Sequence, residues 1–142
     1  MFTRILLGVD GSDGALKAAD EAAILAERFQ ASLTLVNVFQ PIPAYGPFRE
    51  VVNLDLEKQY IQETQEQAAS QTRRAVEELC VPYQIRWEIG HPAAEIVRVA
   101  EEDGCDLIVL GSRGLSGIKA LLLGSVADYV THHAHCPILI VR

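Results

Sequence analysis

The residues best suited to chemistry are Gly111-x-x-Gly114 followed, after nine residues, by Gly124-Ser125. Glycines tolerate backbone conformations and close approaches that a Cβ forbids, so a loop of this kind can wrap a phosphate without side-chain obstruction. Ser125 is placed to cap a following helix, whose first unbonded N–H groups favour an anion. Arg113 and Lys119 would add cations at the rim. Turn glycines and solvated charges are the bland alternative. The order of apolar strand, glycine loop and capped helix favours the anion site, because the motif stands in the context it needs.

Asp10 is the second candidate. It follows a short apolar run, and its carboxylate suits a ribose hydroxyl or a Mg²⁺ ion shared with phosphate oxygens. Its alternative role is an Asx turn through its own backbone. GxxxxGK[ST] is absent, and Gly8-x-x-Gly11-x-x-Gly14 lacks the dinucleotide spacing GxGxxG. These facts disfavour a P-loop NTPase and a dehydrogenase. No second carboxylate or general base is marked by spacing, so binding is better supported than rapid phosphoryl transfer. Slow hydrolysis or transfer to Ser112 stays open.

Further residues have plainer readings. His132, His133, His135 and Cys136 precede Pro137, which breaks a helix, so capping at a helix end is favoured over a zinc site. Histidines there also allow a pH-sensitive surface. Cys80 and Cys105 are expected to be buried and inert. Tyr83 and Trp87 share one face of a strand and are expected to pack beneath a long helix.

The elements that must position these residues alternate along the chain. Strands are predicted at Ile5–Val9, Ser32–Val38, Tyr83–Ile89, Asp106–Leu110 and Ile138–Val141. Helices are predicted from Ser12 to about Gln30, Leu54 to about Leu79, Pro92 to Gly104, and Ser125 to about His132. The second should carry a weak apolar stripe through Leu56, Tyr60, Ile61 and Val76. Such alternation specifies parallel βα units with right-handed crossovers, as one open α/β sheet over residues 1–142 with helices on both faces. Ligands of such sheets lie beyond the C-terminal strand ends. The segment from Phe39 to Asn53, rich in proline, is either a lid or recognition loop or a crossover without a role.

Composition narrows the function classes. At 142 residues the chain has material for one domain, with 49% apolar and 22% charged residues. A net charge of -7 argues against a nucleic-acid polymer as partner but not against one small anion. Three widely spaced cysteines point to a reducing compartment. Neither a signal-peptide pattern nor a run of about 20 apolar residues occurs, so the cytoplasm is the expected location.

With these residues in view, the chain resembles the ATP-binding branch of the universal stress proteins. The likeness rests on GxxGx(9)G[ST] at Gly111, Gly114, Gly124 and Ser125. It extends through Ile5-Leu-Leu-Gly-Val-Asp-Gly-Ser12, Gly90-His-Pro92, Asp106 to Gly114, Leu123-Gly-Ser-Val126 and Cys136-Pro-Ile-Leu-Ile-Val141. It implies the strand order 3-2-1-4-5, with ATP across the ends of strands 1 and 4. Asp10 and Gly11 would lie near ribose and metal-bound phosphates, with Asp10 the metal ligand, and Val38 would meet adenine through its main chain. Gly111, Ser112, Arg113, Gly114, Gly124, Ser125 and Val126 would hold ribose and phosphates. Homodimers that bind ATP without rapid turnover are also implied. An apolar edge strand at Ile138–Val141 independently favours pairing with a second copy, although coverage by the long helix or the terminus is the competing reading. The expected function is an ATP-dependent switch in a stress-response or regulatory protein. The alternatives are a slow ATPase or phosphotransferase, a nucleotide-free dimeric scaffold, and an AMP or cyclic-nucleotide sensor.

Overall fold

A computed structural model describes residues 1–41, 54–114 and 123–142. The first strand, β1, spans Arg4–Gly8 and leads through a tight turn into α1, Asp13–Phe29. Ser12 caps that helix by accepting a hydrogen bond from Ala15 N, as its type and position predicted. β2 spans Ser32–Phe39 and α2 spans Leu54–Glu78. Then follow β3 (Tyr83–Ile89), α3 (Pro92–Glu102), β4 (Leu107–Gly111), α4 (Ser125–His133) and β5 (Ile138–Val141).

The strands form one sheet in the order β3-β2-β1-β4-β5. Every neighbouring pair is parallel, with Leu7 opposite both Leu35 and Val109. Side chains of a strand alternate between its faces, so this register sorts the apolar residues into two cores. Ile5, Leu7, Leu33, Leu35, Leu107 and Val109 join α1 and α2 on one face. Leu6, Val36, Ile108 and Leu110 join α3 and α4 on the other.

Helix α1 buries Ala15, Ala18, Ala19, Ala22, Ala23 and Ala26, and these small side chains bring its backbone close to the sheet. The closest approach is between two glycines. A Cβ on Gly111 would stand 2.6 Å from the Gly14 carbonyl carbon, and one on Gly14 would stand 2.8 Å from Arg113 O. Both positions exclude any larger residue, so they set how the glycine loop sits on the start of α1.

Several expectations need correction. The buried stripe of α2 runs through Gln65, Ala69, Thr72 and Val76, whereas Leu56 and Tyr60 are exposed. Thr72 Oγ1 is buried without a hydrogen-bond partner. Tyr83 packs against the first core and donates a hydrogen bond to Glu77, but Trp87, on the edge strand of the sheet, is 41% exposed. Cys105 is buried as expected, with its thiol pushed up to about 11 by burial and by Asp103. Cys80 is instead exposed, with φ +53° just past the end of α2.

Candidate functional site

Residues from four elements meet where the strand order reverses. β1 has β2 on one side and β4 on the other, so the connections leaving β1 and β4 diverge and open a crevice between them. A cleft of about 460 Å³ lies there, within the range usual for small ligands. Its walls come from Val9 and Asp10 after β1, Asn37 to Phe39 at the end of β2, Gly111 to Gly114 after β4, and Gly124 to Ala127 at the start of α4. Ile96, Leu110 and Pro92 supply apolar surface.

Asp10 takes the turn role through one of its two carboxylate oxygens. Its Oδ1 accepts hydrogen bonds from Ser12 N at 2.9 Å and from Ser12 Oγ, closing an Asx turn. Its Oδ2 takes no part in that turn and approaches Gly114, where an added Cβ would lie 3.0 Å from it. One carboxylate oxygen therefore holds the turn, and the other lies at the glycine loop.

The loop after β4 is anchored at Ser112, which lies between two other elements. Ser112 N donates to Val141 O and Gly124 N donates to Ser112 O, both at 2.7 Å. These bonds draw the end of β5 and the start of α4 onto the glycine loop. Gly124, rather than Ser125, is the N-cap of α4, and no side chain caps that helix. Ser125 is exposed in the first helical position. The first amides of α4 thus have no partner from a cap side chain, and the helix start lines the cleft.

The cleft brings together Asp10, Val38, Gly111, Ser112, Arg113, Gly114, Gly124, Ser125 and Val126. Gly11 lies apart, in an adjoining hollow that shares the loop residues. Lys119 and residues 42–53 of the proline-containing segment lie outside the described residues. Sequence reasoning missed two buried amides. Asn37 Nδ2 donates to Val9 O at 2.8 Å, bracing β2 to the turn that carries Asp10. Gln65 Nε2 donates to Glu88 O at 3.2 Å, tying α2 to β3 beside the cleft. Asn37, a polar residue within the apolar run Leu35-Val-Asn-Val-Phe39, was the available signal; Gln65 is one of several glutamines on α2 and gave none.

The histidines have local partners. His132 Nδ1 and His133 Nδ1 lie 2.8 Å from Asp128 O and Tyr129 O, one turn earlier. His133 also stacks on Tyr129, and His135 Nε2 lies 3.1 Å from Cys105 O. Among the described residues there is no group of three or more His, Cys, Asp or Glu able to hold a metal. A capping and packing role accounts for them.

The profile of the universal stress protein family matches residues 1–142. The chain belongs to that family. "Universal stress protein MJ0531" of Methanocaldococcus jannaschii is 35% identical to it over 147 residues, covering 100% of this chain and 83% of that protein. The structure of universal stress protein UspA from Lactobacillus plantarum has a TM-score of 0.78 and 30% identity, covering 99% of this chain and 97% of that one. A universal stress protein solved in complex with cAMP has a TM-score of 0.75 and 26% identity, covering 99% and 97%. Among the described residues of this universal stress protein, no helix is long and apolar enough to cross a membrane.

Proposed function

We propose that this universal stress protein holds an adenine nucleotide, ATP with Mg²⁺, in the cleft between β1 and β4, and that occupancy acts as a switch in a cytoplasmic stress-response or regulatory role. The observation that carries this reading is the meeting of the uncapped α4 start, the glycine loop and Asp10 Oδ2 at one end of a partly apolar cleft. Helix amides and glycine backbone suit phosphate. The walls formed by Val38, Ile96 and Leu110 suit a flat heteroaromatic base. In this reading Gly124, Ser125 and Val126 hold phosphate, and Arg113 adds charge at the rim. Ser112 and Gly11 shape the loop and turn, and the main chain at Val38 meets the base.

Asp10 fits a magnesium ion of the kind that keeps most of its waters and takes one carboxylate plus substrate phosphates. It is the one carboxylate among the described residues lining the cleft, and half of it is engaged with Ser12. A general base independent of the metal ligand is therefore lacking among those residues, which favours retention of ATP over efficient hydrolysis. Gly111 lines the cleft and also lets the loop rest on Gly14.

Protein purified without added nucleotide and then denatured in acid should release ATP or ADP, and emptied protein should take up ATP in a calorimetric titration. Protein that carries none and takes up none would favour the nucleotide-free scaffold. Competition by cAMP is the second reading to check, because a similar universal stress protein is described in complex with it. Sustained turnover that disappears in Asp10→Ala would instead make the protein a slow ATPase. The edge position of β5, with all four residues only partly buried, supports a homodimer through that strand. Sedimentation velocity should find a dimer, and a monomer at every concentration would refute that part.

A further inference from the structure

The sheet has two edges, β5 and β3, and the β3 edge carries exposed apolar side chains. Trp87 is 41% and Ile89 57% exposed. The main chain of β3 sorts into two sides. Leu33 N donates to Pro82 O and Gly90 N donates to Phe39 O, so residues 82 and 90 turn their main-chain groups toward β2. Direction alternates along a strand, so residues 84, 86 and 88 do the same, and Ile85, Trp87 and Ile89 direct their N–H and C=O groups to the open side. Among the described residues nothing pairs with those groups. An open apolar edge of this kind is a template for a further strand.

The side chains say which strand fits. The run Ile85-Arg86-Trp87-Glu88-Ile89 is self-complementary about Trp87, since in reverse it reads Ile-Glu-Trp-Arg-Ile. Two copies paired antiparallel about a two-fold axis at Trp87 set Trp87 against Trp87, Ile85 against Ile89, and Arg86 against Glu88 of the second copy. The open main-chain groups of Ile85, Trp87 and Ile89 then all meet open groups, as hydrogen-bonded pairs. Neighbouring registers centred on Arg86 or Glu88 instead oppose like charges, which destabilises a pair of strands. Within one copy Arg86 and Glu88 already lie 2.9 Å apart, and Arg86 also holds Glu102 and Asp103. Covering the edge therefore leaves neither charge alone. Two chains of net charge -7 repel each other, an effect that physiological salt screens beyond about 8 Å.

We propose that the β3 edge is a self-association surface, and that its partner is the β3 edge of a second copy, paired antiparallel about Trp87. The pairing requires no nucleotide and lies at the opposite edge of the sheet from β5. Where β5 also pairs, the two symmetric contacts join copies into rows longer than a dimer.

The test uses two variants. Trp87→Pro removes an N–H that points away from β2, so the internal ladder stays intact and the variant should unfold in urea as a folded protein does. In sedimentation velocity at about 0.15 M salt, the wild type should show one association step more than Trp87→Pro as concentration rises. That step leads beyond the β5 dimer where that dimer forms, and from monomer to dimer where it does not. The second variant is Trp87→Cys in a Cys80→Ser background, compared with Ile24→Cys in the same background, because Ile24 is 45% exposed on α1. In the proposed register the introduced thiols sit on Cα atoms about 5.5 Å apart, within disulfide range. With oxidised glutathione as oxidant, Trp87→Cys should form a covalent dimer at least about tenfold faster than Ile24→Cys. Equal rates for the two, or identical association of the wild type and folded Trp87→Pro, would overturn the pairing and leave the edge to a different chain. Should Trp87→Pro fail to fold, the cross-linking comparison decides alone.

Discussion

Alanine at Gly111 and at Gly114 should separate packing from binding within one four-residue loop. At Gly111 the new Cβ would stand 2.6 Å from the Gly14 carbonyl carbon, 2.8 Å from its oxygen and 3.0 Å from Ala15 N. Ordinary contacts of a Cβ begin near 3.4 Å, so β4 and α1 would have to move apart by 0.8 Å. All the opposing atoms are backbone, and no rotamer change can relieve the clash. Overpacking of this kind costs about 2–3 kcal/mol. With a urea dependence of about 2 kcal/mol per molar, the unfolding midpoint should fall by about 1 M.

At Gly114 the only close atom among the described residues is Asp10 Oδ2, at 3.0 Å, the end of a side chain that can rotate. Gly114→Ala should therefore change stability by less than about 1 kcal/mol. It displaces the carboxylate oxygen that the nucleotide reading uses, so ATP affinity should drop by at least about tenfold. Urea denaturation followed by circular dichroism and calorimetric ATP titration would measure the two effects on the same samples. A Gly111→Ala midpoint equal to wild type would refute the described contact between β4 and α1. Equal ATP affinity in folded Gly114→Ala would refute the binding role of this part of the loop.

Other substitutions check the fold more directly. Thr72→Val keeps the shape of the side chain while removing a buried hydroxyl without a partner; it should stabilise the protein by about 1 kcal/mol in urea denaturation, and a loss would mean that the hydroxyl is satisfied. Cys80→Gly relieves a left-handed conformation at φ +53° and should add about 0.5–1 kcal/mol by the same measurement, with no gain counting against that backbone geometry. Asp106 accepts hydrogen bonds from Thr3 N, Thr3 Oγ1 and Arg4 N, so Asp106→Asn should cost about 1–2 kcal/mol near neutral pH. Burial pushes the Asp106 carboxyl up, but those hydrogen bonds outweigh it and hold it below its ordinary value. Its contribution is therefore present above the ordinary carboxylate range, near about pH 4, and is lost as pH falls through the lowered value. The difference between wild type and Asp106→Asn should shrink on acidification, and a difference independent of pH would contradict this.

Element type and order were legible because each depends on short-range pattern. The apolar runs Ile5-Leu-Leu and Leu107-Ile-Val-Leu are short and closed by turn residues, as buried strands are, and the alanines of α1 mark a helix lying close to a sheet. Ser12 and Pro92 marked helix starts because a cap and a missing N–H act within one turn. Ser125 looked like a cap by the same reasoning. It became the first helical residue because Gly124 N bonds Ser112 O, a contact between residues twelve apart that no local pattern encodes.

By itself, then, the sequence determined the parallel α/β class, the glycine loop after β4 and the aspartate after β1, since periodicity, turn chemistry and spacing are properties of neighbouring residues. The family likeness implied the strand order 3-2-1-4-5, which the sheet has. Only the tertiary structure decided that one carboxylate oxygen of Asp10 closes a turn while the other lies at the glycine loop, that Gly111 packs against Gly14, and that Lys17, Arg113 and Arg142 line one hollow. Those residues lie far apart along the chain. Their proximity follows from the parallel register of β1, β4 and β5 and from the close seating of α1, which set distances that sequence spacing cannot.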